Sequence, residues 1–179
     1  GLVSLFSGEG YWNFYEWSDG LDGTAALSGK ETDCLVNLFY AYAIQRYQIL
    51  SEILGIYEER QQIQNRYDLL KQKINRTFWD EKQKGYRVSD EDSRCPELVP
   101  ALAVISGIGS PHRSKLIAGL ANRSFSPHAT LSSKIFTYEA LLTEPSVYPL
   151  IRSEIKDIWG KMLFAGATSF WETEKGADD

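Results

Sequence analysis

Cysteine is scarce in this sequence. Cys34 and Cys95 are the only two, far apart along the chain, with only His112 and His128 to join them. Neither metal-type spacing nor a disulfide framework follows, and a chain of 179 residues can bury enough surface to fold without one. Two free thiols are expected, and no metal site. Long apolar runs are missing too. Leu38–Ile44 and Val99–Ile105 are the longest, far short of the ~18 residues of a membrane span. Positive charge is in deficit: 19 basic against 24 acidic residues leave −5, with no local Lys/Arg cluster. Nucleic acid and anionic membrane surfaces are therefore disfavoured as partners. No Gly-rich phosphate loop or nucleophile elbow occurs, so no nucleotide cofactor is implied. Strand-type alternation never exceeds five residues, which excludes an all-β design.

What is present is aromatic and helical. Apolar residues make up 43% and aromatics 13% of the chain, a composition typical of one soluble globular domain. The chain opens on Gly rather than Met, and Gly1–Phe6 is too short for a signal peptide. An upstream part, removed or excised, is the expectation.

Residues 1–32 lack helical period and hold six Gly and the cluster Tyr11-Trp12-Asn13-Phe14-Tyr15-Glu16-Trp17. They predict a long ordered loop, with Gly8, Gly10, Gly20, Gly23 and Gly29 at left-handed positions. Pinning of the loop to the core by Tyr11, Phe14 and Tyr15 is one reading of this cluster.

Six helices follow. Asp33 opens the first, whose middle (Leu38, Phe39, Ala41, Tyr42, Ala43, Ile44) is apolar nearly all round, and Gly55 ends it. The second, about Glu59 to Thr77, has a narrow stripe of Ile63, Tyr67, Leu70 and Ile74. An all-round apolar helix followed by an amphipathic one is a hairpin with an inner and an outer member. After a turn over Asp80–Ser89, Pro96 and Pro100 fit only the first turn of a third helix that runs to Gly107. Ser110 caps a fourth, with Pro111 at its first position, to about Asn122. Ser133–Thr143 is a fifth, and a sixth runs from Pro149 to a stop at Gly166. The pattern predicts an all-α fold of about three consecutive helical hairpins over 33–165, flanked by the loops 1–32 and 166–179.

Two constellations carry chemistry. In the loop after the last helix, Trp171 stands beside Glu172. A carboxylate next to Trp in a concave site serves as general acid or base, while a surface Glu after an aromatic anchor fits the same letters. In the first loop, Trp12, Glu16, Trp17 and Asp19 combine aromatic faces with carboxylates. Rings stack on the apolar faces of sugars and carboxylates accept from their hydroxyls; pinning of the loop explains the same residues equally well.

Several segments resemble the six-hairpin glycosidases: Phe39-Tyr40-Ala41-Tyr42-Ala43, Phe78-Trp79-Asp80-Glu81-Lys82-Gln83-Lys84-Gly85-Tyr86 and Ala101-Leu102-Ala103-Val104. The ending Trp159-Gly160-Lys161-Met162-Leu163, then Gly166-Ala167-Thr168-Ser169-Phe170-Trp171-Glu172, is similar to the bacterial α-L-rhamnosidases and is the more specific match. The resemblance implies an (α/α)6 toroid and an inverting hydrolase that releases L-rhamnose. It makes Glu172 the general base and places Trp12, Glu16, Trp17, Asp19 and Trp171 around the sugar. Ser169 stands where the family has Thr, and Glu16 where it often has Asp. The resemblance also locates the general acid upstream of this chain and a His-containing segment beyond Asp179.

Six hairpins need about 300 residues, so the expectation is half a toroid, inactive alone. Its exposed inner helices await the N-terminal half or a second copy. A non-catalytic carbohydrate-binding or scaffold module and a toroid hydrolase for other glycosides are the competing readings. The compartment stays open between bacterial cytoplasm and cell envelope.

Overall fold

The computed structural model describes residues 1–23 and 30–174. Gly29 and the last residues of the loop 166–179 lie outside them. Six helices dominate: α1 (Cys34–Leu54), α2 (Arg60–Phe78), α3 (Leu98–Ile105), α4 (Arg113–Ala121), α5 (Lys134–Leu141) and α6 (Tyr148–Phe164). One short antiparallel hairpin, β1 (Trp79–Asp80) and β2 (Gly85–Tyr86), pairs Trp79 with Tyr86 and Asp80 with Gly85. The Asp80 carboxylate accepts the Lys82 and Gln83 N–H groups, which closes its turn.

The helices form an arc of three hairpins. α3 packs between α1 and α5, while α2, α4 and α6 back onto α1, α3 and α5 respectively. α3 has the central place because Leu98-Val99-Pro100-Ala101-Leu102-Ala103-Val104-Ile105 carries no charge and is buried on every side except at Val104. Pro100 is its third residue, where an N–H would have no helical partner. The fold is all-α, as the periodicity predicts.

Helix ends follow local chemistry. The Asp33 side chain accepts the Val36 N–H at 2.8 Å, and Gly55 closes α1 in the left-handed region at φ 69°. Ser110 departs from expectation. It begins a 3-10 turn, Ser110–His112, that leads into α4, and its hydroxyl accepts from Lys71 Nζ at 2.6 Å instead of capping. The ammonium of α2 reaches it first, so the outer helices are tied through a side chain that local pattern assigned to a cap.

The first loop is ordered by long-range anchors. Leu5 and Leu21 are buried, and Tyr15 stacks on Phe39 at 6.3 Å and donates its hydroxyl to Asp33 at 2.5 Å. Tyr11 and Phe14 do not pin it: both are exposed, Tyr11 stacked only on exposed Phe6. Two leucines thus carry part of the role expected of the rings. Asn13 supports the path by bonding both the N–H and the carbonyl of Phe6.

Exposed large apolar side chains are unevenly placed. Among the described residues none falls between Leu69 and Ile135, the span of the middle hairpin. They gather on the C-terminal part of α1 (Ile49, Leu50, Ile53, Leu54), along α5 and α6, and in the two loops. The middle of α1, apolar all round in sequence, is buried at Leu38, Ala41 and Ile44 but half-buried at Phe39 and Tyr42 and exposed at Ala43, so its cover is partial; its last turns are more open still. Cys34 and Cys95 are both free and buried, and burial pushes the Cys95 thiol up to about 12 and Cys34 well above its usual range.

Candidate functional site: a cleft between the two aromatic loops

The two loops meet. A cleft of ≈ 460 Å³ is lined by Phe14, Tyr15, Glu16 and Trp17 from the first loop and by Phe170, Trp171 and Glu172 from the last, with Leu131, Ser132 and Trp159 between them. Glu16 and Trp17 of one constellation and Trp171 and Glu172 of the other therefore share one concavity, across about 150 intervening residues of helical arc.

Its parts differ in how firmly they are held. Trp17 is 64% exposed, with its ring 4.7 Å from Phe14 and 6.1 Å from Trp12 in edge-on contacts. Trp171 is half-buried, and Glu172 is exposed with no hydrogen bond or ion pair among the described residues. Glu16 is the opposite case. It is 3% exposed, and one carboxylate oxygen accepts both the N–H (3.0 Å) and the hydroxyl (2.9 Å) of Thr130. The other oxygen accepts from Ser18 Oγ at 3.3 Å. Hydrogen bonds to three donors leave Glu16 little capacity for a ligand, whereas Glu172 has all of its own.

Trp12 and Asp19 fall outside the lining. Trp12 stands behind Phe14 and Trp17 and supports them. Asp19 pairs with Arg94 at 3.2 Å and faces a separate depression with Gln83 and Cys95. Arg94 is itself held by Asp92, whose carboxylate it lowers below the usual range. The structure thus brings together Glu16, Trp17, Trp171 and Glu172, and does not bring Asp19 to them.

Phe14, Leu131, Ser132, Trp159 and Phe170 are cleft residues that the sequence pattern did not single out for the site. Trp159 sits on the stripe of α6 with Ile151, Ile158 and Met162, so its period marks it as core; it packs 5.9 Å from Tyr138 and still reaches the cleft. Phe14 and Phe170 carried no polar neighbour pattern. Also unanticipated is a buried charge cluster behind the cleft, Glu97 with Lys134 at 2.9 Å. Burial pushes the Glu97 carboxyl up, but Lys134, Thr137 and the Ala129 N–H outweigh it and hold it below the usual range. A lone Glu heading an apolar helix was the available signal.

Among the described residues no group of three or more His, Cys, Asp and Glu is arranged to hold a metal ion, and no helix is long and apolar enough to cross a membrane. With carboxylates, aromatic faces and hydroxyls, the cleft is equipped to bind a polyhydroxylated ring and to take a proton from water.

No protein-family model matches the chain, and no curated protein matches it. Solved structures do. A GH78 family rhamnosidase of Bacillus sp. GL1 superposes with a TM-score of 0.73 at 24% identity, over 90% of this chain and 17% of that one. A rhamnosidase from Klebsiella oxytoca, with rhamnose bound, superposes with a TM-score of 0.73 at 20% identity, over 96% of this chain and 31% of that one. The chain spans less than a third of the length of either. Its fold is that of one stretch of these rhamnosidases.

Proposed function

We propose that this chain is the sugar-facing stretch of a glycoside hydrolase acting on terminal α-L-rhamnosyl linkages, with Glu172 as general base. The observation that carries the reading is the convergence of Trp17, Trp171 and the unengaged carboxylate of Glu172 on one cleft. The fold it shares with rhamnosidases, one of them with rhamnose bound, supports it. Trp17 and Trp171 offer faces to the ring, Ser132 a hydroxyl, and Glu172 accepts the proton of the attacking water. Inversion requires a second carboxyl about 6.5–9.5 Å from the first, with room for that water between them. Glu16 is a poor candidate for it, since its oxygens are committed to Thr130 and Ser18. The resemblance to the rhamnosidases assigns the general acid to a segment outside this chain, and on this reading the chain alone is inactive.

The exposed apolar turns of α1 at one end of the arc, and of α5 and α6 at the other, take further hairpins of the same toroid or a second copy. Sedimentation of the chain alone separates a self-associating species from a monomer.

One observation favours a second reading. With Glu16 engaged, Glu172 is, among the described residues, the carboxylate of the lining left to a ligand, which suits a non-catalytic carbohydrate-binding module. Turnover distinguishes the two. In the polypeptide that carries this chain with its flanking sequence, Glu172→Gln abolishes hydrolysis of an aryl α-L-rhamnoside while leaving the fold intact. Undiminished turnover by that variant contradicts the assignment.

A further inference from the structure

Behind the cleft, one buried network touches three of the elements that line it: the first loop, the segment before α5, and α6. Glu97, 2% exposed, stands at the start of α3. Its backbone N–H donates to the Pro127 carbonyl at 2.9 Å. One carboxylate oxygen accepts the Ala129 N–H and faces His128 Nδ1, each at 3.2 Å. The other accepts from Lys134 Nζ at 2.9 Å and from Thr137 Oγ1 at 2.8 Å. A single carboxylate therefore grips the segment 128–134 at both ends, while the Glu97 backbone holds Pro127.

That segment is the middle wall of the cleft, through Leu131 and Ser132. Thr130, directly after Ala129, donates twice to Glu16, the neighbour of Trp17 in the first loop. Lys134 reaches the other way: its ammonium lies 3.1 Å from Glu154 of α6, the helix that carries Trp159 into the cleft. Both Lys134 and Glu97 are almost wholly buried, a placement that is costly unless each charge is paired and hydrogen-bonded. Hydrophobic residues of similar size would fill the space; a branched set of donors and acceptors fixes directions as well.

We infer that Glu97 is a positioning residue for the cleft, acting through Thr130 on Glu16 and the Trp17 wall and through Lys134 on α6. The inference rests on the reading of the cleft as a sugar site, but its mechanical part does not need sugar to be observed. Glu97 touches no ligand. It sets where the aromatic faces stand, and a small displacement of such groups weakens recognition strongly.

The test labels tryptophans with 5-fluorotryptophan in the full chain and assigns the Trp17 ¹⁹F resonance by its loss in Trp17→Phe. Thr130→Val removes the hydroxyl donor to Glu16 and keeps the side-chain shape. It shifts or broadens the Trp17 resonance without changing the helical circular dichroism, and it weakens L-rhamnose binding about tenfold through displacement of the Trp17 face. Thr130→Ser restores both readouts. Glu97→Gln moves the same resonance. Should Glu97→Gln fail to fold, Thr137→Val, which removes one donor to Glu97 and leaves the ion pair, moves it in the same direction. A Trp17 resonance unchanged from wild type in folded Thr130→Val, or in whichever Glu97-side variant folds, overturns the inference. Wild-type protein that binds no sugar while the resonance still moves refutes the sugar reading and leaves the positioning network standing.

Discussion

Two aromatic residues of the helical body and several in the two loops have opposite fates. Phe78 and Tyr86, where α2 meets the hairpin, are fully buried, and Tyr86 donates its hydroxyl to Asn75 at 2.7 Å. Trp17 in the first loop and Phe170 in the last, which line the cleft, are mainly exposed, at 64% and 82%. Rings of the first kind contribute buried area to folding; rings of the second kind contribute almost none and yet face each other across a cleft. Residues that give up burial while sharing one concavity are better explained by what they bind than by what they stabilise.

The largest effect that would break this comparison lies in the body. Phe78→Ala should cost about 3–5 kcal/mol of stability by leaving a cavity, read as a lower denaturation midpoint; a loss below about 1 kcal/mol would mean the body is not packed as described. Next is the joint between the regions. Asp33 caps α1 and receives the Tyr15 hydroxyl, so Asp33→Ala should cost about 1–2 kcal/mol and loosen the first loop, seen as faster amide exchange there. Trp17→Ala inverts the pattern. Its stability change should stay within about 0.5 kcal/mol, while L-rhamnose affinity falls about tenfold, ~1.4 kcal/mol.

The smallest effect is a pH slope at the outer edge. His112 stacks on Trp79 with ring centroids 3.5 Å apart, and Lys115 extends over the same indole. Burial, then Lys115, lower the His112 pKa, with Glu81 opposing. A folded pKa below the unfolded value of about 6.5 means the contribution is intact above that pH. It is lost as pH falls through the lower folded value. Thermal midpoints taken from pH 7 to 5 should therefore decline, and less steeply in His112→Phe, which keeps a ring on Trp79 without the titration. Equal slopes in the two proteins would exclude His112 as the source.

Legibility in the sequence followed the range of the interactions. The six helices were legible because period and caps are local: Asp33 and Gly55 bound α1 as the pattern predicts. Ser110 was misread because Lys71, distant in sequence, takes its hydroxyl. One of two readings turned Tyr11 and Phe14 onto the core, where Leu5 and Leu21 serve instead; nothing local tells which apolar side chain of a loop turns inward. Of the candidate site, Glu16, Trp17, Trp171 and Glu172 share the cleft, while Asp19 is drawn to Arg94. The role of Trp159 and the network around Glu97 were hidden, since both depend on helices that only the folded arc brings together.

The central claim is that the exposed tryptophans and Glu172 surround a sugar. Titrating the chain with L-rhamnose into the millimolar range, with tryptophan fluorescence as reporter, tests it most directly. The account predicts a saturable change that Trp17→Ala moves to about tenfold higher sugar at unchanged thermal midpoint. A flat titration of the folded wild-type chain, or an identical curve for Trp17→Ala, would contradict it.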